Sequence, residues 1–151
     1  MIIFDLDNCI SDDLWRREFI DWSTTDLAQR YDRYHSLCYL DEIGNEELIE
    51  RHRHQGIIIL TARSRKYEME TVSWLTKHNI HYEYLLMRND NEHNGSANLK
   101  LAQLRSLEAL GVHFGAIDIA YDDRRDVIRM YRSLNINGQL AAIHDQEDKD
   151  P

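Results

Sequence analysis

Five short apolar runs, at residues 1–4, 57–60, 84–87, 117–121 and 140–143, recur along the chain with helical patterns between them. Runs this short do not build helices, and they lack the polar–apolar alternation of a half-exposed strand. They read as strands buried on both faces, as in a parallel sheet. Between them, residues 67–79 place Met69, Val72 and Leu75 on one side of a predicted helix. Residues 99–110 repeat Leu101, Leu104, Leu107 and Leu110 and stop at Gly111, a C-terminal cap, and Val127, Tyr131 and Leu134 mark a third helix ending near Asn135. Strand and helix in repetition predict an α/β fold, a Rossmann-like parallel sheet of about five strands flanked by helices, with right-handed crossovers.

Two segments break the alternation. Residues 12–55 are too long for one crossover and are rich in charge and in aromatics (Trp15, Phe19, Trp22, Tyr31, Tyr34, Tyr39), so they read as a small helical cap inserted over the sheet edge. Residues 88–98 are polar and unpatterned, a predicted loop, and residues 145–151 read as a frayed tail. With no repeat and no linker, all 151 residues are expected to form one domain. A hydrophobic content of 42% argues against a disordered chain. Eighteen Lys and Arg against 27 Asp and Glu leave a net charge of −9, which excludes a protein that coats long polyanions. Cys9 and Cys38 have no CxxC spacing and read as free thiols of a reducing compartment. The N-terminus has no basic leader, and no apolar run approaches the roughly 20 residues that span a bilayer. The expectation is a cytoplasmic protein without a membrane segment or an obligatory protein partner.

In such a sheet ligands bind beyond the carboxyl ends of the strands, so the residues just past each apolar run carry the chemistry. After the first run comes Asp5-Leu6-Asp7-Asn8-Cys9, after the second Thr61-Ala62-Arg63, and after the fourth Asp122-Asp123-Arg124-Arg125-Asp126, while Lys100 stands where a polar loop enters a helix. Taken singly these are turns, caps and solvated helix charges. Taken together, two acidic clusters on one sheet edge bring three or more carboxylates close, which is tolerable only with a cation. Oxygen donors without matching His or Cys select a hard ion such as Mg²⁺. One Asp is then free to attack phosphorus, forming an aspartyl-phosphate, while a second protonates the leaving group and later activates water. Thr61 and Lys100 supply a hydroxyl and a fixed positive charge to the phosphoryl oxygens.

The ordered set DLDNC, ILTAR, a lone Lys and YDDRRD resembles the haloacid dehalogenase (HAD) superfamily of aspartate-nucleophile phosphatases over nearly the whole chain. More narrowly, DWS, ILTARS with WLTKHNI, LLMR and DDRRDVIRMYRSLNI resemble the 3′-phosphatase domain of phage polynucleotide kinases. The resemblance implies Asp5 as nucleophile and metal ligand, and Asp7 as general acid/base that also offers its carbonyl to Mg²⁺. It further implies Thr61 and Lys100 on the phosphate, Asp122 on the metal, and Asp123 or Asp126 as metal ligand or support. The chain departs from the family in carrying Asn8-Cys9 where Gly-Thr is usual; Asn tolerates the left-handed turn, and the lost hydroxyl bears on the orientation of Asp7. No GxxxxGK[ST] loop is present in these 151 residues, so the kinase half of such enzymes is not expected here.

For substrate, Arg63, Arg65, Lys66, Arg88, Arg124 and Arg125 come after strand ends and predict a local basic rim, with Arg63, Arg88 and Arg124 the candidate substrate contacts. Trp15, Trp22, Tyr31 and Tyr34 serve either to stack on a base or, as the more ordinary reading, as the small core of the insertion. None of the eight histidines is assigned a role. The expected activity is removal of a 3′-phosphate from a nucleic-acid end or nucleotide, in the host cytoplasm if the source is viral. The rivals are a 5′(3′)-mononucleotidase and a ligand-binding adaptor that keeps the fold but does no chemistry. A dehalogenase of small organic acids fits the Mg²⁺-binding acids less well.

Overall fold

The computed structural model describes residues 1–145. Its elements in chain order are β1 (Ile2–Phe4), β2 (Ser11–Asp12), α1 (Leu27–Ser36), β3 (Glu42–Ile43), α2 (Glu46–His52), β4 (Ile57–Ser64), α3 (Glu68–Lys77), β5 (Tyr84–Arg88), α4 (Ser96–Ala109), β6 (Ile119–Asp122), α5 (Arg125–Ser133) and β7 (Gly138–Leu140), joined in places by 3-10 turns. The main sheet has the order β5-β4-β1-β6-β7, and every neighbouring pair is parallel.

Alternation along the strands divides the core in two. Ile2, Phe4, Ile57 and Ile59 pack with Ile49 of α2 and with Trp74 and Leu75 of α3. Ile3, Ile58 and Leu60 pack with Leu104 and Leu107 of α4 and with Val127, Ile128 and Tyr131 of α5. Both faces are covered, which is why the strands read as unbroken apolar runs. From β1 the chain moves to β4 and β5 on one side, then crosses to β6 and β7 on the other. The reversal beside β1 opens a crevice at the carboxyl ends of β1, β4 and β6.

Helix ends obey local chemistry. Gly111 takes φ 95° past the end of α4, letting Val112 N donate back to Leu107 O at 2.9 Å. Asn135 does the same for α5 at φ 59°, with Ile136 N donating to Tyr131 O at 3.0 Å.

Several sequence expectations are corrected. Of the leucines at spacing three, Leu104 and Leu107 are buried, Leu101 is half-buried and Leu110 is exposed, because each three-residue step turns a 3.6-residue helix about 60° off its own face. On α3 the buried face is Thr71, Trp74 and Leu75, and Met69 lies exposed. The polar loop ends earlier than expected, since α4 begins at Ser96. Thr61, Ala62 and Arg63 lie within β4, where its pairing with β5 shifts register between Leu60 and Ser64. The last strand is Gly138–Leu140, ahead of the expected 140–143. A Cβ at Gly138 would lie 3.1 Å from Tyr131 Cβ, so a residue without one suits the seat beside α5. The apolar residues after it instead fold across the carboxyl edge, with Ala141 N donating to Asp122 O and Ile143 N to Asn8 O, both at 2.8 Å.

The insertion is also less uniform than expected. Residues 14–40 carry α1 and two 3-10 turns, whereas β3 pairs antiparallel with β2 and α2 gives Ile49 to the main core. Cys9 and Cys38 are buried free thiols. The expected frayed tail lies, beyond Asp145, outside the described residues.

Trp74 is fully buried, and its Nε1 donates to Asp41 O at 2.8 Å, tying α3 to the returning insertion. Trp74→Ala is expected to lower unfolding free energy by about 3–5 kcal/mol in urea titrations monitored by circular dichroism.

Candidate active site

Parallel pairing sets the central feature. Phe4 of β1 lies opposite Tyr121 of β6, so the next residue of each strand, Asp5 and Asp122, arrives at the same point of the carboxyl edge. Asp5 N donates to Tyr121 O at 3.1 Å, and Asp123 comes next in the turn. One oxygen from each of Asp5, Asp122 and Asp123 lies within 4.8 Å of the other two. Lys100, in the second turn of α4, is 2% exposed; its Nζ donates to Asp5 Oδ1 at 2.7 Å and also to Asp122 Oδ2. Burial and then the Asp122 charge push the Asp5 carboxyl up to about 6. Burial and then the Asp5 and Asp122 charges push Asp123 up to about 9. Burial disfavours the Lys100 ammonium, but Asp122 and Asp5 outweigh it and raise Lys100 well above its ordinary value. Three oxygen donors with no His or Cys among them have the chemistry of a hard-cation site.

Asp7 occupies a different environment. Arg63 donates Nη2 to Asp7 Oδ1 at 2.7 Å, and Arg16 Nη2 donates to the same oxygen. Arg16 also grips Asp41 through Nε and Nη2, both at 2.8 Å, while Ser11 Oγ and Trp15 Nε1 donate to Asp41 at 2.5 and 2.9 Å. Arg16, Arg63 and Asp41 are buried and the Asp7 side chain is 21% exposed, so two positive and two negative charges balance beneath the surface. Burial works against the Asp7 carboxylate, but Arg63 and then Arg16 overcome it and hold it well below the usual carboxylate range.

Some of these side chains line a cavity of about 630 Å³. Its floor includes Asp5, Asp7, Lys100 and Asp123, and the insertion supplies a wall of Trp22, Leu27, Tyr31, Tyr34 and His35. Lys66 Nζ and Tyr67 Oη both donate to Asp32 of α1, at 3.0 and 2.5 Å, fastening that wall to the body.

The expected catalytic and metal residues thus divide into two groups: Asp5, Asp122, Asp123 and Lys100 in one cluster, and the Asp7 carboxylate with the arginines. Thr61 is buried, and its Oγ1 accepts from Arg63 N at 3.2 Å. Arg63 does not sit on a basic rim: it is completely buried, because Asp7 and Asp41 draw its guanidinium inward. Arg88 lines the cavity but donates to the carbonyls of Ala62, Glu92 and Asn94, which shapes the loop before α4. Arg124 lines it too and pairs with Asp126 at 2.9 Å. The aromatics split: Tyr34 is buried with Arg16 over its ring at 4.2 Å, whereas Trp22 is 68% exposed beside the cavity.

Arg16, Asp41 and His35 were not among the expected site residues. Nothing in their spacing separates Arg16 from its neighbour Arg17, which pairs with Asp13. His35 packs against the rings of Tyr34 and Tyr67, and burial lowers it to about 3, keeping it neutral.

These charges have two measurable consequences. Arg16→Met leaves buried carboxylates uncompensated and is expected to cost about 3–5 kcal/mol in denaturant titration. Because Asp5 and Asp123 bind protons more tightly folded than unfolded, the stability they contribute is complete below about pH 4 and is lost as pH rises through about 6 and 9. The melting temperature of metal-free protein should therefore show this loss between pH 5 and 9, and millimolar Mg²⁺ should diminish it. Asp7 acts oppositely: its contribution is present above the ordinary carboxylate range and is lost only in strong acid.

The same geometry has counterparts among known proteins. No curated protein matches the chain. Among solved structures, a chain of the Pnkp1/Rnl/Hen1 RNA repair complex superposes with a TM-score of 0.68 at 22% identity, covering 96% of this chain and 43% of that one. The present chain therefore spans less than half of that relative. A haloacid dehalogenase-like hydrolase from Streptococcus pneumoniae gives 0.64 at 15% identity, covering 96% and 86% of the two chains. CbbY from Rhodobacter sphaeroides, in complex with phosphate, gives 0.64 at 16%, covering 98% and 88%. These likenesses establish the Rossmann-like α/β fold of HAD hydrolases. A family model described as PITM 1-3, LNS2 domain matches residues 41–142, from the buried Asp41 through β4, Lys100 and the Asp122–Asp123 turn. The chain belongs to the LNS2 domain family.

Proposed function

We propose that this chain is a Mg²⁺-dependent phosphomonoesterase, with residues 1–151 one catalytic unit and residues 12–55 supplying its cap. The observation that carries the reading is the convergence of Asp5, Asp122 and Asp123 within 4.8 Å, beside Lys100, at a cavity that Asp5, Asp123 and Lys100 line. Mg²⁺ held by Asp5, Asp122, Asp123 and the Asp7 carbonyl would cancel repulsion between the carboxylates and a phosphate dianion. Asp5 attacks phosphorus as the bond to the ester oxygen breaks and the alcohol leaves protonated, water then frees inorganic phosphate from the aspartyl-phosphate, and Lys100 and Thr61 stabilise the charge spreading over the phosphoryl oxygens. Asp7 serves the proton transfers, oriented by Arg16 and Arg63.

The preferred substrate class is a 3′-phosphate on a nucleic-acid end or nucleotide. Support comes from the aromatic residues that share the cavity with Asp5, Asp123 and Lys100, from Arg88 and Arg124 at the cavity, and from the likeness to a chain of an RNA repair complex. Arg63 acts in this scheme through Asp7. The two buried thiols suit action in a reducing cytoplasm.

A second reading, a ligand-binding protein without turnover, is favoured by one observation: Asp7 is held as an anion by two buried arginines, which works against its donating a proton.

Phosphate release from a 3′-phosphorylated oligonucleotide, compared with free nucleoside monophosphates, tests the first reading. The oligonucleotide should turn over faster; equal or better turnover of the monomers would reject the nucleic-acid assignment in favour of a mononucleotidase. Asp5→Asn should lower Mg²⁺-dependent release from an aryl phosphate by roughly a thousandfold or more, and Lys100→Met by roughly 100- to 1,000-fold. Equal rates for the wild type and Asp5→Asn would leave the binding-protein reading in its place.

A further inference from the structure

Asn8 stands in the turn after Asp7 with φ 60°, in the position where the resemblance leads one to expect glycine. A backbone requirement alone is met by glycine, with no side chain to bury. Here the side chain is 1% exposed, and its amide is fully engaged. Nδ2 donates to Asp123 Oδ2 at 3.2 Å and to His144 O at 3.0 Å, and Oδ1 accepts from His144 N at 3.0 Å. The Asn8 carbonyl accepts from Ile143 N at 2.8 Å.

The segment after β7 is itself anchored independently of this amide. Ala141 N donates to Asp122 O at 2.8 Å, His144 Nε2 contacts Asp12 Oδ1 at 2.9 Å, and Ile143 packs over Gly44, where any added Cβ would lie 2.4 Å from Ile143 Cδ1. One amide therefore joins three pieces of chain: the turn after β1, the turn after β6 and the strip that closes over both. Of the three clustered carboxylates, Asp5 and Asp122 take their direction from paired strands and from Lys100. Asp123 lies beyond the strand, and the Asn8 bond to Oδ2 holds its carboxyl from the side of the turn, together with the hydrogen bond it shares with Asp5.

We infer that Asn8 is a positioning residue for the cation site: its amide, locked by the backbone of residues 143–144, aims the Asp123 carboxylate at the point where the Asp5 and Asp122 oxygens converge. This rests on the reading of Asp5, Asp122 and Asp123 as ligands of a divalent cation. Groups that orient ligands in this way commonly contribute about 10- to 100-fold in metal affinity.

The test is calorimetric titration of Mg²⁺ into the full chain, comparing the wild type with Asn8→Gly and His144→Ala. Glycine accepts φ 60° without strain, so Asn8→Gly removes the amide and keeps the turn. His144→Ala removes the segment's side-chain contact with Asp12 and leaves the Asn8 amide in place. Asn8→Gly should bind Mg²⁺ about tenfold more weakly, while His144→Ala stays within about twofold of wild type. Wild-type affinity in Asn8→Gly would overturn the assignment, and so would an equal loss in both variants, which would make docking of the segment the operative feature. Phosphate release measured on the same samples separates the two readings. A wild type that binds Mg²⁺ without turnover removes the enzyme and leaves Asn8 its role, whereas a wild type that binds no Mg²⁺ removes both.

Discussion

The Lys100 ammonium between Asp5 and Asp122 is the contact on which the carboxyl edge of this fold depends. Two carboxylates brought together by parallel strands repel one another, and burial strengthens the repulsion by removing water. A buried lysine on the neighbouring helix offsets it and ties α4 to β1 and β6 across the crevice. The remaining excess of negative charge shows itself in the raised values of Asp5 and Asp123. The edge therefore holds more acid than its own lysine neutralises, and a divalent cation is the natural complement to that imbalance.

A second balance lies beside the first and is built from the insertion. Arg16 comes from the start of the insertion and Asp41 from just past its second 3-10 turn, and both join Asp7 and Arg63 in a buried group of two opposite pairs. Such pairs offer little net stability relative to apolar packing, but removing one member leaves a stranded charge, so the arrangement is effectively all or none. The orientation of Asp7 is thereby coupled to correct folding of the cap. Lys66 and Tyr67 on Asp32 fasten the insertion's helix to the body at another point, so the cavity wall and the turn that carries Asp7 are held by the same insertion.

Much of this was legible in the chain. Non-alternating apolar runs predicted buried parallel strands, and Asp5, Thr61, Lys100, Asp122 and Asp123 drew attention because each falls at or near the end of such a run or where a loop enters a helix. The expected roles of Arg63 and of the leucine repeat were not legible in the same way. Arginine after a strand reads as a rim charge in one dimension, and only the meeting of Asp7 with Asp41 from within the insertion explains why Arg63 turns inward. Leucines spaced by three suggest one face until the helix is given its 3.6-residue pitch.

The class of fold and the residue types that reach the carboxyl edge are legible along the chain, because hydrophobic periodicity and turn chemistry are local properties written in consecutive residues. Which charges face each other is a matter of how the elements pack. Asp5 meets Lys100 across 95 positions, Asn8 meets His144 across 136, and Arg63 meets Asp7 across 56. Those partnerships arise from strand order, crossover and burial, and electrostatic energy depends on the distance and dielectric that this geometry creates, which no local pattern encodes.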